Sequence, residues 1–212
     1  MMLPDDTCIA GLNTVADWKA MKGRLDGCNN QAIWTEALEV FFKTRLESRY
    51  FRPARAIEGI KQDVGEGFAI VTLHCSLIEF LASTLEGKTY RLVKKGHPPL
   101  GEFEYSNSED MFIRFLESQE PFSTIFSVRG TAKDFYASVR CGLLHEARTK
   151  KGWRIWVDLF ATLAIKTDVK IIYRNKMQAA FDHFVECYRQ QLLVDADLQQ
   201  AFIRKFDSLC EE

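Results

Sequence analysis

An arginine and a histidine lie five positions apart in the segment Arg140-Cys-Gly-Leu-Leu-His145. Arginine carries a permanent charge on a planar guanidinium group that binds phosphate oxygens in pairs. Histidine titrates near neutral pH and can therefore accept and release a proton during a reaction. Together the two residue types predict chemistry on a phosphate group, with Arg140 stabilising negative charge and His145 acting as general acid and base.

The apolar spacing around this motif predicts a helix from Thr131 to about Ala147. Its core-facing arc on the helical wheel consists of Phe135, Tyr136, Val139, Gly142 and Leu143. Arg140 lies at the edge of that arc, and His145 falls on the opposite face beside Asp134, Ser138 and Cys141. Two residues are unexpected: Leu144 is apolar on the polar face, and Gly142 costs about 1 kcal/mol relative to alanine inside a helix. Both favour a partner surface on this helix.

A second predicted helix, from about Gly67 to Leu85, is apolar around most of its circumference and should be central to the core. Its polar residues share one narrow face and are Thr72, Ser76, Glu79 and Ser83. A carboxylate on a buried helix needs a partner, and Arg140 or His145 is a candidate for Glu79. A groove open to water, or another arginine, remains the alternative. His74 falls on the apolar side and is expected to be structural.

Positive charge is concentrated in residues 129–176, which contain eleven basic and four acidic residues for a net charge of +7, whereas the rest of the chain carries −8. The cations that follow His145 are predicted to bind phosphates of a nucleic-acid strand, and they are Arg148, Lys150, Lys151 and Arg154. Trp153 and Trp156 lie three positions apart in the strand-like segment 152–157. At most one of them can therefore face outward and stack on a base. The alternative is a solvated loop with both tryptophans packed beneath it.

The remaining pattern predicts an all-α, mostly helical bundle with a long loop and at most a small β element. The predicted elements are a helix from Gln31 to Phe51 capped by Asn30 and ended by Pro53, a short helix to about Lys61, a loop over 88–108, and helices over 108–118, 168–194 and 195–210. We expect a single domain over 1–212. It would comprise an N-terminal surface segment (1–30), a bundle core (31–194) and a C-terminal helix (195–212).

Composition narrows the class of protein. Of the 212 residues, 47% are hydrophobic and 27% are charged, which is typical of a globular domain and excludes a disordered chain. The six cysteines form no Cys-x-x-Cys pair, so we expect free thiols, and no ligand spacing suggests a metal or cofactor. Acidic residues near the N-terminus, and the lack of a long apolar run, favour a cytoplasmic protein without membrane contact.

The motif stands in the run Asp-Phe-Tyr-Ala-Ser-Val-Arg-Cys-Gly-Leu-Leu-His-Glu-Ala. An Arg-x4-His motif in a helix of a mostly helical domain resembles the signature of the HEPN superfamily, over residues 31–194. This resemblance implies a metal-independent endoribonuclease in a toxin, phage-defence or RNA-processing setting. Such proteins are commonly dimers whose two motifs meet in one cleft. Carried onto this chain, the resemblance assigns Arg140 and His145 as catalytic. The position after the arginine is usually polar in active members and is Cys141 here.

We therefore expect an endoribonuclease that uses no metal or cofactor, with Glu79 and Cys141 as supporting residues. The expected partners are RNA, a second copy bound through the Arg140–His145 helix, and an antitoxin or another regulatory protein. One alternative is a non-catalytic HEPN-fold module that binds RNA, nucleotide or protein. Another is a thiol enzyme built on Cys141 and His145, which are four positions apart.

Overall fold

The computed structural model describes residues 2–60 and 65–211, and these form a mostly helical fold with small sheets. The mostly α fold class is therefore confirmed. The α-helices are α1 (Val15–Leu25), α2 (Gln31–Ala37), α3 (Thr44–Leu46), α4 (Arg52–Gly59), α5 (Glu66–Glu86), α6 (Glu109–Ser118), α7 (Phe122–Ile125), α8 (Thr131–Phe135), α9 (Cys141–Glu146), α10 (Met177–Leu192) and α11 (Ala196–Ser208). π-Helical segments occupy Leu38–Lys43, Glu47–Phe51 and Tyr136–Arg140, and a 3-10 turn occupies Arg174–Lys176.

In the part of the chain that the structure describes, seven short strands form three small sheets. They are β1 (Cys8–Ala10), β2 (Asn13–Thr14), β3 (Thr89–Tyr90), β4 (Glu104–Tyr105), β5 (Arg154–Trp156), β6 (Ile165–Lys166) and β7 (Ile171–Tyr173). β1 and β2 pair antiparallel, and β3 pairs parallel with β4 inside the predicted long loop. In the third sheet, β7 lies between β5, which is parallel to it, and β6, which is antiparallel.

The chain divides into two compact units. The first unit comprises residues 2–50, 83–107 and 188–211, and the second comprises residues 51–60, 65–82 and 108–187. Arg140 and all of its neighbours described below belong to the second unit.

Aromatic side chains fill the core of the first unit. The Trp18 ring lies 5.0 Å from the Phe206 ring, which in turn lies 4.7 Å from Phe202. The prediction of a surface segment over residues 1–30 is wrong for this reason: Val15 and Trp18 on α1 are buried, as is part of β1. α1 begins with a capping box between Thr14 and Asp17, a local signal for a helix start.

The predicted helix over 31–51 is present but does not end at Pro53. α2, α3 and α4 follow one another through the two π-helical segments, and the residues that join them keep helical backbone angles. Pro53 is the second residue of α4, which directly follows the π-helical segment Glu47–Phe51. The proline therefore marks a change in helical winding, and the helix continues to Gly59.

The second unit is also packed around aromatic rings. Phe135 lies 5.2 Å from Trp153, and Phe122 lies 5.4 Å from Phe181, measured between ring centres. α5 is long and apolar enough to cross a membrane by length and composition, contrary to the sequence expectation of no such run. Since 61% of its most hydrophobic window is buried within the protein, α5 is typical of a core helix.

Two predictions in the second unit have different outcomes. The strand expected in segment 152–157 is confirmed as β5. The helix expected to begin near Asp168 instead begins at Met177, because Ile171–Tyr173 forms β7 between β5 and β6. β-Branched and aromatic residues favour a pleated, half-buried strand, and here sheet pairing overrides the apparent helical spacing.

Candidate active site at Arg140

The motif helix is continuous from Thr131 to Glu146, through α8, a π-helical segment and α9. It begins after Gly130, which has a left-handed backbone (φ 84°), and ends at Ala147, which is also left-handed (φ 53°). The predicted core-facing arc is buried throughout. Arg140 is the last residue of the π-helical segment. π-Helical turns within α-helices are frequent at functional sites.

The guanidinium group of Arg140 is held by Glu79 of α5. Arg140 Nε donates to Glu79 Oε1 at 2.5 Å, and the two side chains are only 18% and 22% exposed. The structure thus provides Glu79 with one of the two partners that the sequence suggested. Burial by itself would lower the pKa of Arg140, but the hydrogen bond and negative charge of Glu79 raise it overall. The Tyr136 ring adds a cation–π contact at 5.3 Å.

Arg140 and Glu79 border a cavity of about 120 Å³. Its other lining residues are Thr72, Cys75, Ser76 and Leu144. Three members of the predicted polar face on α5 therefore meet the motif helix at one place. Because Glu79 uses Arg140 Nε, that hydrogen bond leaves the two terminal amino groups of the guanidinium group unused. Those two groups are the pair with which arginine grips a phosphate.

Cys75 is a lining residue that the sequence analysis missed. Burial raises the pKa of its thiol well above the usual value, and the charge of Glu79 raises it further. The signal was present in the sequence, because Cys75 stands three and four positions from Thr72 and Glu79 on the same helix face. Cys141 is half-buried beside Arg140 and is not among the residues that line the cavity. All six cysteines are free thiols, as expected.

His145 is exposed in the last turn of α9 and does not line the cavity. Its neighbour Leu144 does, and the Leu144 side chain is 55% exposed. The structure therefore brings Arg140 and Glu79 together and places His145 on the exposed end of the same helix. Leu144 is therefore an exposed aliphatic residue between a half-buried arginine and a surface histidine.

A contact within the chain explains why residue 142 is glycine, so the interpretation of this glycine as part of a partner surface is wrong. A Cβ atom on Gly142 would lie 2.5 Å from the Arg148 carbonyl oxygen, closer than such atoms approach. The chain after α9 turns back over the helix here, and the Arg148 amide donates to the Gly142 carbonyl at 3.3 Å. Glycine is required because a backbone segment, rather than another protein, packs against it.

The predicted RNA-binding cations are mostly paired with carboxylates. Glu146 binds both Arg148, at 2.7 Å, and Lys150. Lys151 lies 3.6 Å from Asp134. Arg154 is exposed on β5 and has no carboxylate partner in the described part of the chain. Exposed ion pairs contribute little to stability, so a phosphate could replace Glu146 as the partner of Arg148 or Lys150.

Asp134 joins the motif helix to the residues that follow it in the chain. It accepts hydrogen bonds from Trp153 Nε1 and Lys170 Nζ, both at 2.9 Å, and from Ser138 Oγ at 3.0 Å. Ser138 is consequently buried, not on an open polar face beside His145 as predicted. Trp153 is buried and Trp156 is 57% exposed, which matches the expected limit of one outward tryptophan.

His74 is buried against Phe181, and burial lowers its pKa to about 4, in keeping with the structural role expected for it. Across residues 2–60 and 65–211, no three His, Cys, Asp or Glu side chains cluster in a way that could hold a metal ion. Comparison with protein-family models, with curated proteins and with solved structures finds no match to this chain.

Proposed function

We propose that this chain is a cytoplasmic, metal-independent endoribonuclease of the HEPN type, working in a toxin, phage-defence or RNA-processing setting. The observation that carries the proposal is the state of Arg140. It is a half-buried cation, held through Nε by Glu79, at the wall of a cavity that exposed Leu144 also lines. His145 follows Leu144 directly and is open to solvent. The helix thus carries a group that can hold a phosphate and, at its exposed end, a group that can transfer a proton.

In the proposed reaction, the ribose 2′-oxygen attacks the adjacent phosphorus and its proton passes to a His145 imidazole. The bond from phosphorus to the 5′-oxygen breaks, and the same imidazole returns the proton to that oxygen. Arg140 binds two phosphate oxygens and stabilises the charge that accumulates on them. The products are a 2′,3′-cyclic phosphate and a 5′-hydroxyl end. DNA, which lacks the 2′-hydroxyl, is not cleaved.

Two copies of the chain complete this site. Side chains five positions apart on one helix point about 140° apart and cannot converge on one phosphate. A two-fold axis beside Leu144 would bring Arg140 of one copy to His145 of the other, and would cover the exposed leucine. The dimer thus accounts for an apolar side chain that a single copy leaves half exposed.

The first test is an RNA-cleavage assay in chelator with the parent protein, His145→Ala and Arg140→Lys. We expect each variant to cleave at least about 100-fold more slowly, because general acid–base catalysis and paired phosphate contacts each contribute that much. Arg129→Ala is the matched control, since Arg129 is exposed and forms no ion pair in the described part of the chain. Cleavage at the parent rate by His145→Ala, or cleavage that needs a divalent metal, would contradict the mechanism.

A mixing experiment tests the shared site. Arg140→Ala and His145→Ala are each inactive alone, but a mixed dimer has one site with an intact Arg140 from one copy and an intact His145 from the other. Random mixing makes half of the dimers mixed, so about one quarter of the parent activity should return. If each site used both residues of a single copy, no activity would return.

Glu79 is a positioning residue in this proposal, and conservative replacement separates that role from a structural one. Glu79→Gln retains an acceptor for Arg140 Nε and should keep the parent kcat within about threefold. Glu79→Ala leaves the guanidinium group unanchored and should lower kcat by about tenfold or more with little change in KM. Equal losses of kcat in both variants would argue against positioning by hydrogen bonding.

A non-catalytic binding module is the second candidate. The charge of Arg140 is already balanced by Glu79, and His145 does not line the same cavity. Intact RNA after prolonged incubation would favour this candidate, provided that binding weakens with salt and with Arg154→Gln. A thiol enzyme has less support, because Cys141 is half-buried within the helix.

A further inference from the structure

A larger cavity lies in the first unit, between α1 and α11, and no residue of the proposed ribonuclease site belongs to it. Its volume is about 500 Å³, within the range of pockets that hold small molecules. α1 contributes Lys19, Lys22 and Gly23, and α11 contributes Gln200, Ile203 and Arg204.

Arg204 is a fixed cation without a carboxylate partner among the described residues. Its guanidinium carbon lies 4.1 Å from the centre of the Phe103 ring. Gly87 has a left-handed backbone (φ 61°), and a Cβ atom there would lie 2.9 Å from Arg204 Nε, so this glycine leaves room for the guanidinium group. Arg204 Nε is buried and has no hydrogen-bond partner within residues 2–60 and 65–211. Aromatic contact and backbone thus hold the group, and its charge remains available to a ligand.

The other charges around the cavity leave an excess of positive charge. Lys22 pairs with Asp207 at 2.7 Å, and Asp207 also accepts from Trp18 Nε1 at 2.9 Å, so both of its oxygens are occupied. Lys19 pairs with Asp5, and their side chains are 48% and 68% exposed, so little is lost when this pair opens. Asp26 is the only other acidic residue in the lining as described. The lining itself contains three cations and two carboxylates, so it favours an anionic ligand once the exposed pair of Lys19 with Asp5 opens.

Gly23 exposes bare helix backbone along the cavity wall. It lies inside α1, and apart from its chain neighbours and the backbone of α1 itself, no atom of the described residues comes within 4 Å of the position where its Cβ would be. Glycine inside a helix costs about 1 kcal/mol relative to alanine, and no packing contact requires it here. Ile203 contributes apolar surface to the same cavity, and Gln200 contributes an amide. A flat apolar ring system can pack against the bare backbone of Gly23 and the side chain of Ile203. The Gln200 amide can hydrogen-bond to the polar edge of such a ring.

We propose that this cavity binds a phosphate-bearing ligand of mononucleotide size. Arg204 and the two lysines bind the phosphate groups, Gly23 and Ile203 contact the base, and Gln200 hydrogen-bonds to the edge of the base. The recognised chemistry is a nucleoside with a terminal phosphate, supplied either as a free nucleotide or as the phosphorylated end of an RNA.

The test is isothermal titration calorimetry of the full chain with ADP, AMP, adenosine and inorganic phosphate. We expect ADP and AMP to bind and adenosine to bind at least about tenfold more weakly. Arg204→Gln should weaken ADP binding at least about tenfold, while Lys95→Gln, an equal change of charge at an exposed loop position in the same unit, should not. A 5′-phosphorylated tetranucleotide that binds better than its 5′-hydroxyl form, and better than ADP, would identify an RNA end as the source.

Gly23→Leu separates binding from folding. The leucine side chain enters open space and raises helix propensity, so the unliganded protein should melt at the parent temperature or above it. The same side chain fills the cavity, and ADP binding should fall at least about tenfold. Parent-like ADP binding by both Gly23→Leu and Arg204→Gln would overturn the proposal. So would ADP binding no tighter than phosphate binding, or no detectable binding of any of these ligands at millimolar concentration.

Discussion

Replacing Asp134 with asparagine should weaken the contacts that hold Trp153 and Lys170 to the motif helix. In the parent protein the two carboxylate oxygens accept three hydrogen bonds, from Trp153, Lys170 and Ser138. Asparagine keeps one acceptor oxygen but replaces the other with an amino group. That amino group faces a donor, either the indole N–H with the Lys170 ammonium or the Ser138 hydroxyl, so at least one buried donor loses its partner.

The magnitude follows from the acidity of Asp134. Burial would raise its pKa, but the hydrogen bonds from Lys170, Trp153 and Ser138 outweigh burial and lower the pKa to about 2 from 3.8. One unit of pKa corresponds to about 1.4 kcal/mol, so the folded protein favours the carboxylate by about 2 kcal/mol. The side chain is 23% exposed, and solvent screening is therefore modest. We expect Asp134→Asn to lower the free energy of unfolding by about 2 kcal/mol at pH 7.

The pH dependence distinguishes this electrostatic contribution from a loss of packing. Because the folded-state pKa lies below the unfolded-state pKa, the stabilisation is complete above about pH 5 and is lost as pH falls towards 2. Urea denaturation followed by tryptophan fluorescence at pH 7 and pH 3 should show the difference between parent and variant falling by about half. Asp168→Asn, at an exposed position in the same segment, should change stability by less than about 0.5 kcal/mol. An equal difference at both pH values would refute the reasoning.

Three further variants test local features by denaturation. Gly142→Ala should lower the free energy of unfolding by about 1–3 kcal/mol, because its Cβ would lie 2.5 Å from the Arg148 carbonyl oxygen. An unchanged denaturation midpoint would show that the turn after α9 shifts freely. Ala147→Gly should raise the free energy of unfolding by about 1 kcal/mol, since glycine adopts the left-handed backbone (φ 53°) without strain. A loss of stability would contradict this. Burial, with the charge of Arg45, lowers the pKa of Lys205 to about 8, so the unfolded chain binds more protons between pH 8 and 10.4. Parent stability should therefore rise across that range by up to about 3 kcal/mol, and Lys205→Met should lack the rise.

The sequence was most informative where helical spacing was long and uninterrupted. α5 and α11 lie within a few residues of their predicted bounds, because each carries a sustained apolar face. α1 was missed because its surroundings are polar, although Thr14 and Asp17 form a capping box that sequence alone contains. The start of α10 was misplaced because three residues, Ile171–Tyr173, fit either periodicity. Only pairing with β5 and β6 decides between them, and that information is not local.

Some contacts of the candidate site could likewise be predicted from the sequence, and others could not. The pairing of Glu79 with Arg140 could be anticipated, since a carboxylate on a buried helix needs a cation and few were available. The partners of the basic segment could not, because Glu146 and Asp134 reach these cations only through the turn after α9. Gly142 is a second example. The close approach of Arg148 explains the glycine, but the sequence alone cannot distinguish such an intrachain contact from a partner surface.

In the proposed reaction, two carboxylates determine which end of the motif helix RNA can reach. Glu79 holds Arg140 to α5, and Asp134 holds the segment around Trp153 against the first turns of the helix. Ordering these groups removes their conformational freedom before any RNA binds, so little entropy is lost when a phosphate meets Arg140. The exposed residues left at the end of the helix begin with Leu144 and His145. In the proposed reaction, the RNA strand and the second copy therefore approach at this end, because a single copy cannot bring its own Arg140 and His145 to one phosphate.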